Sequence, residues 1–178
     1  MNIHPLFVHF PIGLLVVYSV LEIGAYVSPT LRRQSWLFGV KAFLLFVGVL
    51  AAFTALVTGG MAEELVENTE RAFILEVHSP IAGITTLLYL VLASAYLICV
   101  FDRNGWWSRL FQMNKVFAWS WHMKKSVAHF ILDTWFLPVL ALLALIGMTV
   151  TGALGAAIVY GPNADPFVTF IYHLFWAQ

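Results

Sequence analysis

Four long apolar stretches constrain this chain more than any other feature of its sequence. They run from about Leu6 to Val27, Leu37 to Met61, Val77 to Phe101 and Phe130 to Tyr160. A helix needs about 20 apolar residues to cross the hydrocarbon core of a bilayer. Each stretch is long enough, and each is a continuous run without the alternation of a transmembrane β-strand. The sequence therefore predicts an all-α integral membrane protein with four spanning helices.

The composition agrees with lipid as the surrounding solvent. Hydrophobic residues make up 61% of the chain and charged residues 10%, whereas soluble domains average roughly 45–50% and about 25%. The formal net charge is zero, so nothing in the charge favours binding to nucleic acid. At 178 residues, the chain is expected to form one transmembrane domain, residues 1–178.

Charges in the three connections alternate in sign and predict an orientation. The first connection carries Arg32 and Arg33, and the second carries five glutamates against Arg71. The third carries five basic residues against Asp102. Because basic residues concentrate in cytoplasmic loops, we expect the first and third connections inside. We therefore predict a multi-pass protein of a bacterial inner membrane, with both termini outside.

The sequence contains an internal repeat. Val8–Gly13 and Val77–Ala82 both begin Val-His-x-Pro-Ile, at the starts of the first and third spans. Val57–Gly59 and Val150–Gly152 both read Val-Thr-Gly, near the ends of the second and fourth spans. We therefore predict a four-helix bundle of two parallel hairpin repeats related by an axis along the membrane normal. The repeats cover about residues 1–68 and 69–178. The proline after each histidine suits the first turn of a helix, where a missing N–H costs nothing.

The connection between the third and fourth spans is long and partly apolar. Its apolar residues recur at helical spacing among basic ones: Trp107, Leu110, Phe111, Ala118 and Trp121. This pattern predicts an amphipathic helix on the cytoplasmic leaflet. It serves either as an interfacial anchor or as a surface for a partner protein.

Two histidines that the repeat relates, His9 and His78, suggest a b-type haem with axial ligands from two helices. Small residues near them would leave space for the ring: Gly13, Gly59, Gly60, Gly83, Gly152 and Gly155. Glycines also promote close helix packing in membranes without any cofactor. Two alternatives stay open at this point. One is a single transition metal on outer histidines, with His4 and His173 as further ligands, and the other is no cofactor.

Four ionisable residues are expected at the cytoplasmic ends of the spans, namely Glu22, Lys41, His129 and Asp133. Charges at membrane depth are usually paired or functional. Glu22 and Lys41 are expected at similar depth, and Asp133 follows His129 by one helical turn. The pattern indicates either a structural ion pair or a quinone or proton site.

The opening segment His4–Ile12 resembles that of a family of small bacterial four-helix membrane proteins of unknown function. Members of that family begin with His-Pro-x-x-Val-His-Phe-Pro, and later similarities fall at Thr58-Gly59, at His78 and from Gly152 to Gly161. The chain differs in its aromatic insertion, Asn104–Ala128. The resemblance implies the fold more than an activity, and it mildly favours electron transfer.

These observations lead to one functional hypothesis with two alternatives. The hypothesis is a b-type cytochrome-like subunit that moves electrons between a membrane quinol and a periplasmic or partner-subunit carrier. This hypothesis favours an electron-transfer subunit over a stand-alone enzyme and leaves enzymatic activity open. The alternatives are a non-redox accessory or assembly subunit, and a metal-binding or transport protein that uses the outer histidines.

Overall fold

The computed structural model describes residues 4–67, 69–105 and 115–176, with no side chains given for residues 115–117. Within these ranges the regular elements are all helices. They are α1 (His4–Val27), α2 (Pro29–Arg32), α3 (Leu37–Glu63), α4 (Ala72–Arg103), α5 (Lys115–Asp133), α6 (Phe136–Tyr160) and α7 (Pro166–Phe175).

Four of these helices, α1, α3, α4 and α6, are long and apolar enough to cross a membrane. The predicted all-α class and the four predicted spans are confirmed at this level. Two boundaries differ from the sequence prediction. Helix α4 begins five residues earlier, at Ala72. The fourth span begins at Phe136, because α5 continues to Asp133 and a short break follows, in which the Thr134 hydroxyl accepts a hydrogen bond from the Phe136 N–H.

The two prolines do not occupy the first helical turn, and that expectation was wrong. Pro11 and Pro80 both lie inside their helices, about two turns from the start. A proline there leaves the carbonyl four residues earlier without its usual helical partner. The helices nevertheless continue upstream, to His4 and to Ala72.

The spanning helices form a closed ring of neighbours. Helix α1 packs against α3 and α6, and α4 packs against the same two helices. Small residues bring the helices close at two crossings. A methyl group on Gly48 would lie 2.5 Å from Leu15 Cδ2, and one on Gly147 would clash with Thr85 Oγ1. Such contacts pull α1 onto α3 and α4 onto α6, as small residues commonly do in membrane proteins. The rotation relating the two hairpins stays a prediction.

The two ends of the bundle differ in charge. We call the end that holds His4, Glu63 and Arg71 the acidic end, and the end that holds Arg32, Lys41 and Arg103 the basic end. At the acidic end, Arg71 Nη1 donates to the carbonyls of Ile158 and Val159 at 2.8 and 3.0 Å. These are carbonyls that a helix C-terminus otherwise leaves unpaired, so Arg71 joins the start of α4 to the end of α6.

Between the third and fourth spans, α5 packs against α4 and contacts α6. The predicted interfacial segment is described only from Lys115 onwards. Ala118 is exposed and Trp121 is half-buried. Trp107, Leu110 and Phe111 lie outside the described residues. The position of this segment on a membrane surface stays a prediction.

Candidate functional site

At the acidic end, the first histidine of the chain lies against the end of α3. The His4 Nδ1 is 3.1 Å from Thr58 Oγ1. A methyl group on Gly59 would lie 3.2 Å from His4 Cε1. The imidazole therefore fills the space that glycine leaves, and Gly59 does not provide room for a macrocycle.

His78 makes a similar contact in the second half of the chain. It is half-buried, and its Cε1 lies 3.4 Å from where a methyl group on Gly155 would be. The Nδ1 of His78 is buried and has no hydrogen-bond partner among the described residues. His4 packs on a glycine of α3, and His78 packs on a glycine of α6. The counterpart of His78 in the first half of the chain is therefore His4 and not His9.

His9 lies on the outside of the bundle. Its ring is exposed, and its Nδ1 is 2.7 Å from the Pro5 carbonyl oxygen, one turn earlier in α1. Two axial ligands of one haem must project into a shared space from opposite sides. One imidazole here is exposed and the other is packed against Gly155. In this arrangement His9 and His78 do not fit the two axial positions of one haem.

The other residues predicted to surround a cofactor are dispersed. Gly13, Gly60 and Gly83 are exposed, and no atom of a neighbouring residue lies within 4 Å of a methyl group placed on them or on Gly152. His173 is exposed on α7. Within the described residues, no three histidine, cysteine or acidic side chains form a group that would hold a metal ion.

The basic end contains a buried ion pair. The Lys41 ammonium donates to Glu22 Oε1 at 2.5 Å, and both residues are buried. The Tyr96 hydroxyl donates to the other carboxylate oxygen, Glu22 Oε2, also at 2.5 Å. The ammonium lies 5.8 Å from the centre of the Tyr96 ring, within range of a cation–π attraction. Helices α1, α3 and α4 each supply one of the three side chains.

Aromatic side chains surround this ion pair. Tyr18 contacts the rings of Tyr89 and Tyr96 edge to face, at centroid distances of 6.3 and 6.0 Å. Phe38 stacks on Tyr96 at a centroid distance of 5.2 Å, and the Arg103 guanidinium carbon lies 4.0 Å from the centre of the Phe38 ring. Aromatic rings therefore cover much of the surroundings of the ion pair.

Two cavities flank the buried lysine. The larger, of about 460 Å³, is lined by polar and aromatic side chains that include Glu22, Tyr26, Arg32, Lys41, Asp133 and Trp135. The smaller, of about 170 Å³, is lined by Lys41, Tyr96, Cys99, Arg103, His129 and Asp133, among others. Lys41 and Asp133 therefore belong to both walls. The four residues that the sequence predicted as a charged site all lie on these two cavities.

The tyrosines were missed by sequence reasoning. Tyr89 and Tyr96 are seven residues apart in α4, so they lie on one face of that helix. Both are fully buried inside the bundle. A hydroxyl inside an apolar span needs a partner. Tyr96 finds it in Glu22, and Tyr89 finds it in the Ser19 hydroxyl at 2.9 Å. The seven-residue spacing of Tyr89 and Tyr96 was the sequence signal that could have identified them.

The fold and this end of the bundle define a polytopic helical membrane protein with charged groups inside the bundle. The chain belongs to the family described as "Predicted membrane protein (DUF2231)", which matches residues 1–164. Membership in a family of membrane proteins without an assigned function is thereby confirmed, while the opening motif as a family signature stays a prediction. No curated protein and no solved structure matches the chain.

Proposed function

We propose that this chain is a redox-linked membrane subunit that binds the head group of a lipid-soluble quinone in the larger cavity. One observation carries the proposal. A cavity of about 460 Å³, bordered by a buried Glu22–Lys41 ion pair, lies between the spanning helices at the basic end. That volume is within the usual range for a small-molecule site, about 300–1,000 Å³.

The charges of the cavity favour a neutral ligand. Arg32 and Lys41 supply hydrogen-bond donors, and Glu22 and Asp133 supply acceptors. Since the two signs balance, a simple anion or cation gains little net attraction. A quinone carbonyl accepts hydrogen bonds and a quinol hydroxyl donates them, so a wall with both kinds of group suits both forms of the ligand.

The surroundings of the cavity suit a ligand that arrives from the bilayer. Tyr26 and Trp135 border it and are 54% and 58% exposed. The remaining lining residues are Ala25, Leu132, Thr134, Leu137 and Pro138. Aromatic side chains are favoured at the level of lipid head groups. An isoprenoid tail would extend past them into the hydrocarbon.

Quinone reduction consumes two electrons and two protons for each quinol formed. The electrons would come from a redox-active partner subunit, and the chain itself would contribute binding and proton exchange. A buried carboxylate beside an ammonium and a phenol holds exchangeable protons next to the bound ring. The proposal therefore assigns Glu22 and Lys41 to proton exchange. Asp133 lines both cavities, and His129 lines the smaller one.

Haem binding by His9 and His78 stays a prediction that the placement of His9 does not favour. Ligation would require His9 to turn away from the Pro5 carbonyl and into the bundle. An absorption spectrum of the protein purified after haem-replete expression tests this. A Soret band that is lost in both His9→Ala and His78→Ala would support the pair, and a colourless protein would end the haem hypothesis.

We place the basic end at the cytoplasmic face of a bacterial inner membrane, with both termini outside. What supports this is the charge of the connections, because basic residues are retained on the cytoplasmic side. The quinone cavity would then lie in the inner leaflet.

Binding of a short-chain ubiquinone to the protein in quinone-free nanodiscs tests the proposal. We expect saturable quenching of tryptophan fluorescence, since Trp135 borders the cavity. Arg32→Gln and Asp133→Asn should each raise Kd about tenfold, because losing one hydrogen bond to a charged group costs about 1.5–3 kcal/mol. Glu64→Gln, an exposed change at the acidic end, should leave Kd unchanged.

Two results would contradict the proposal. One is quenching that never saturates, or that is identical in the cavity variants and the control. The other is a phospholipid seen by native mass spectrometry in the cavity that excess quinone does not displace, which would make this a structural lipid site.

A further inference from the structure

A second set of charged groups connects the cavities to the surface of the basic end. His129 on α5 is 43% exposed, and its Nδ1–H donates to Asp133 Oδ2 at 3.1 Å. Its other nitrogen, Nε2, lies 3.9 Å from Asp102 Oδ2. Lys125 Nζ lies 2.8 Å from the same Asp102 oxygen and holds that carboxylate in place. One imidazole therefore lies between two carboxylates, one from α4 and one from the end of α5.

Asp133 leads from this histidine to the interior. It lines both cavities, as Lys41 does. A water molecule takes about 30 Å³ in the liquid, so the smaller cavity of about 170 Å³ has room for several. Water needs polar partners to stay in such a space. Lys41, Tyr96, Arg103 and His129 offer them on its walls.

We propose that Asp102, His129 and Asp133 form a proton path from the surface of the basic end to the buried Glu22–Lys41 pair. The path rests on the proposed function only in its purpose, which is to supply protons to a quinone in the larger cavity. Its existence is a separate physical claim about the protein without ligand.

The path needs only proton movements. A proton from solvent binds His129 Nε2, beside Asp102, and the proton on Nδ1 passes to Asp133. Cavity water carries it on to the Glu22 carboxylate. Glu22 can pass it to Lys41 once Lys41 has released one of its own protons through Glu22 along the same path, so Lys41 ends protonated with an exchanged proton. Only N–H and O–H bonds form and break, and no electron moves. Rotation of the ring, or loss of the Nε2 proton to Nδ1 through solvent, returns His129 to its starting state.

Histidine is suited to this position because one ring nitrogen can accept a proton while the other gives one up. The charged groups around it come from α3, α4 and α5, and α6 contributes none. They are Asp102 and Arg103 from α4, Lys125 from α5, Asp133 at the end of α5, and Lys41 from α3 across the smaller cavity.

Exchange of the Lys41 ammonium protons with water measures the path directly and needs no quinone. Lysine is rare in this chain, and Lys41 is buried whereas Lys124 is exposed and Lys125 half-buried. In protein carrying ¹⁵Nζ-labelled lysine, the Lys41 signal is assigned from its loss in Lys41→Arg. We expect exchange at pH 7 to slow about tenfold or more in His129→Gln, since a positioned acid or base accelerates proton transfer by about 10²-fold or more. Added imidazole should restore much of the rate.

Two further variants keep the test decisive. Asp133→Asn removes the next group of the path, and its side chain is 72% exposed, so the fold should tolerate the change. It should slow exchange as His129→Gln does, and imidazole should not rescue it. His122→Gln lies on the same helix at an exposed position and lines neither cavity, so it should exchange at the parent rate.

Parent-rate exchange in both His129→Gln and Asp133→Asn would overturn the path, even if quinone binds as proposed. Slower exchange in the His122→Gln control as well would also overturn it, because the effect would then be general loosening. Exchange that depends on His129 in a protein that binds no quinone would leave the path standing and remove the proposed ligand. The two claims therefore fail separately.

Discussion

Glu22 is the residue on which the basic end depends. A carboxylate taken out of water loses far more solvation than one ion pair returns, unless its remaining lone pairs are also satisfied. Lys41 and Tyr96 satisfy one oxygen each. Removing any one of these three side chains should therefore lower the stability of the protein.

Removing the ammonium alone should be strongly destabilising. In Lys41→Met the Glu22 carboxylate stays buried and keeps the Tyr96 hydroxyl as its hydrogen-bond partner among the described residues. Breaking a buried pair in this way costs about 3–5 kcal/mol. Thermal unfolding in detergent, followed by circular dichroism, measures the loss. The double variant Glu22→Gln/Lys41→Met should recover a large part of it. A single variant as stable as the parent would show that the pair is not structural.

Removing the phenol hydroxyl should cost less. Tyr96→Phe keeps the ring contacts with Tyr18 and Phe38 and loses one hydrogen bond to a charged group, worth about 1.5–3 kcal/mol. Tyr89→Phe, which loses a neutral bond to Ser19, should cost about 0.5–1.5 kcal/mol. The same unfolding measurement compares them, and equal losses would argue against a charged acceptor at Tyr96.

At the residue scale, the sequence predicted the charges better than the histidines. Glu22 and Lys41 are rare charges inside apolar runs, and their need for a partner follows from desolvation alone. The pairing of His9 with His78 rested on a sequence repeat, which does not say which way a side chain points. His9 follows His4 by five positions in α1, so the two side chains lie on different faces of that helix. His4 contacts Thr58 and Gly59, and His9 is exposed.

At the element scale, two close crossings join the helices into hairpins. Leu15 enters the space above Gly48, and Thr85 enters the space above Gly147. Without a hydrophobic driving force between helices in lipid, van der Waals contact of this kind is a main source of association. The length of each helix is set by apolar composition, but the fit between helices is set at these glycines.

A methyl group at the first crossing should therefore weaken the first hairpin. Gly48→Ala places a carbon 2.5 Å from Leu15 Cδ2 and 2.7 Å from Leu15 Cγ, and overpacking costs typically about 1–3 kcal/mol. Gly39→Ala in the same helix meets no neighbour within 4 Å and should be neutral or slightly stabilising. The same thermal unfolding assay compares the two variants. Equal stability would refute the close-packing role of Gly48.

Helix boundaries were predicted well where composition decides them and less well where other rules were applied. The ends of α1 and α3 follow the apolar runs closely. The start of α4 was placed five residues too late, because the predicted span was the apolar run that begins after Glu76. The break between α5 and α6 was missed since Phe130–Tyr160 is apolar on both sides of Asp133. That break brings Asp133 and Trp135 to the cavity, so the cavity itself was not predictable from the sequence.

At the scale of the whole molecule, the buried ion pair and the larger cavity lie at the same end of the bundle. The basic connections and the Glu22–Lys41 pair share the basic end, while the acidic end carries the glutamates between α3 and α4. The proposed ligand site and proton path at one end would exchange with one side of the membrane. The orientation of the chain would then decide which compartment supplies the protons.

Cysteine labelling on intact cells measures that orientation. The single cysteine, Cys99, is buried and is first replaced by alanine. A cysteine at Glu64 should react with an impermeant thiol reagent in intact cells, and one at Arg32 should react only after permeabilisation, because basic connections stay in the cytoplasm. Labelling of the Arg32→Cys variant in intact cells would invert the topology and assign the proton path to the opposite face.

The central claim is that a quinone head group occupies the larger cavity, and photo-crosslinking tests it most directly. The protein in nanodiscs is illuminated with an azido-quinone, and the modified peptides are identified by mass spectrometry. The account predicts that labels fall on the cavity walls, within residues 22–32 and 132–138, and that excess unlabelled quinone suppresses them. Labels spread over the lipid-facing surfaces of all four spanning helices, with no suppression by excess quinone, would contradict it.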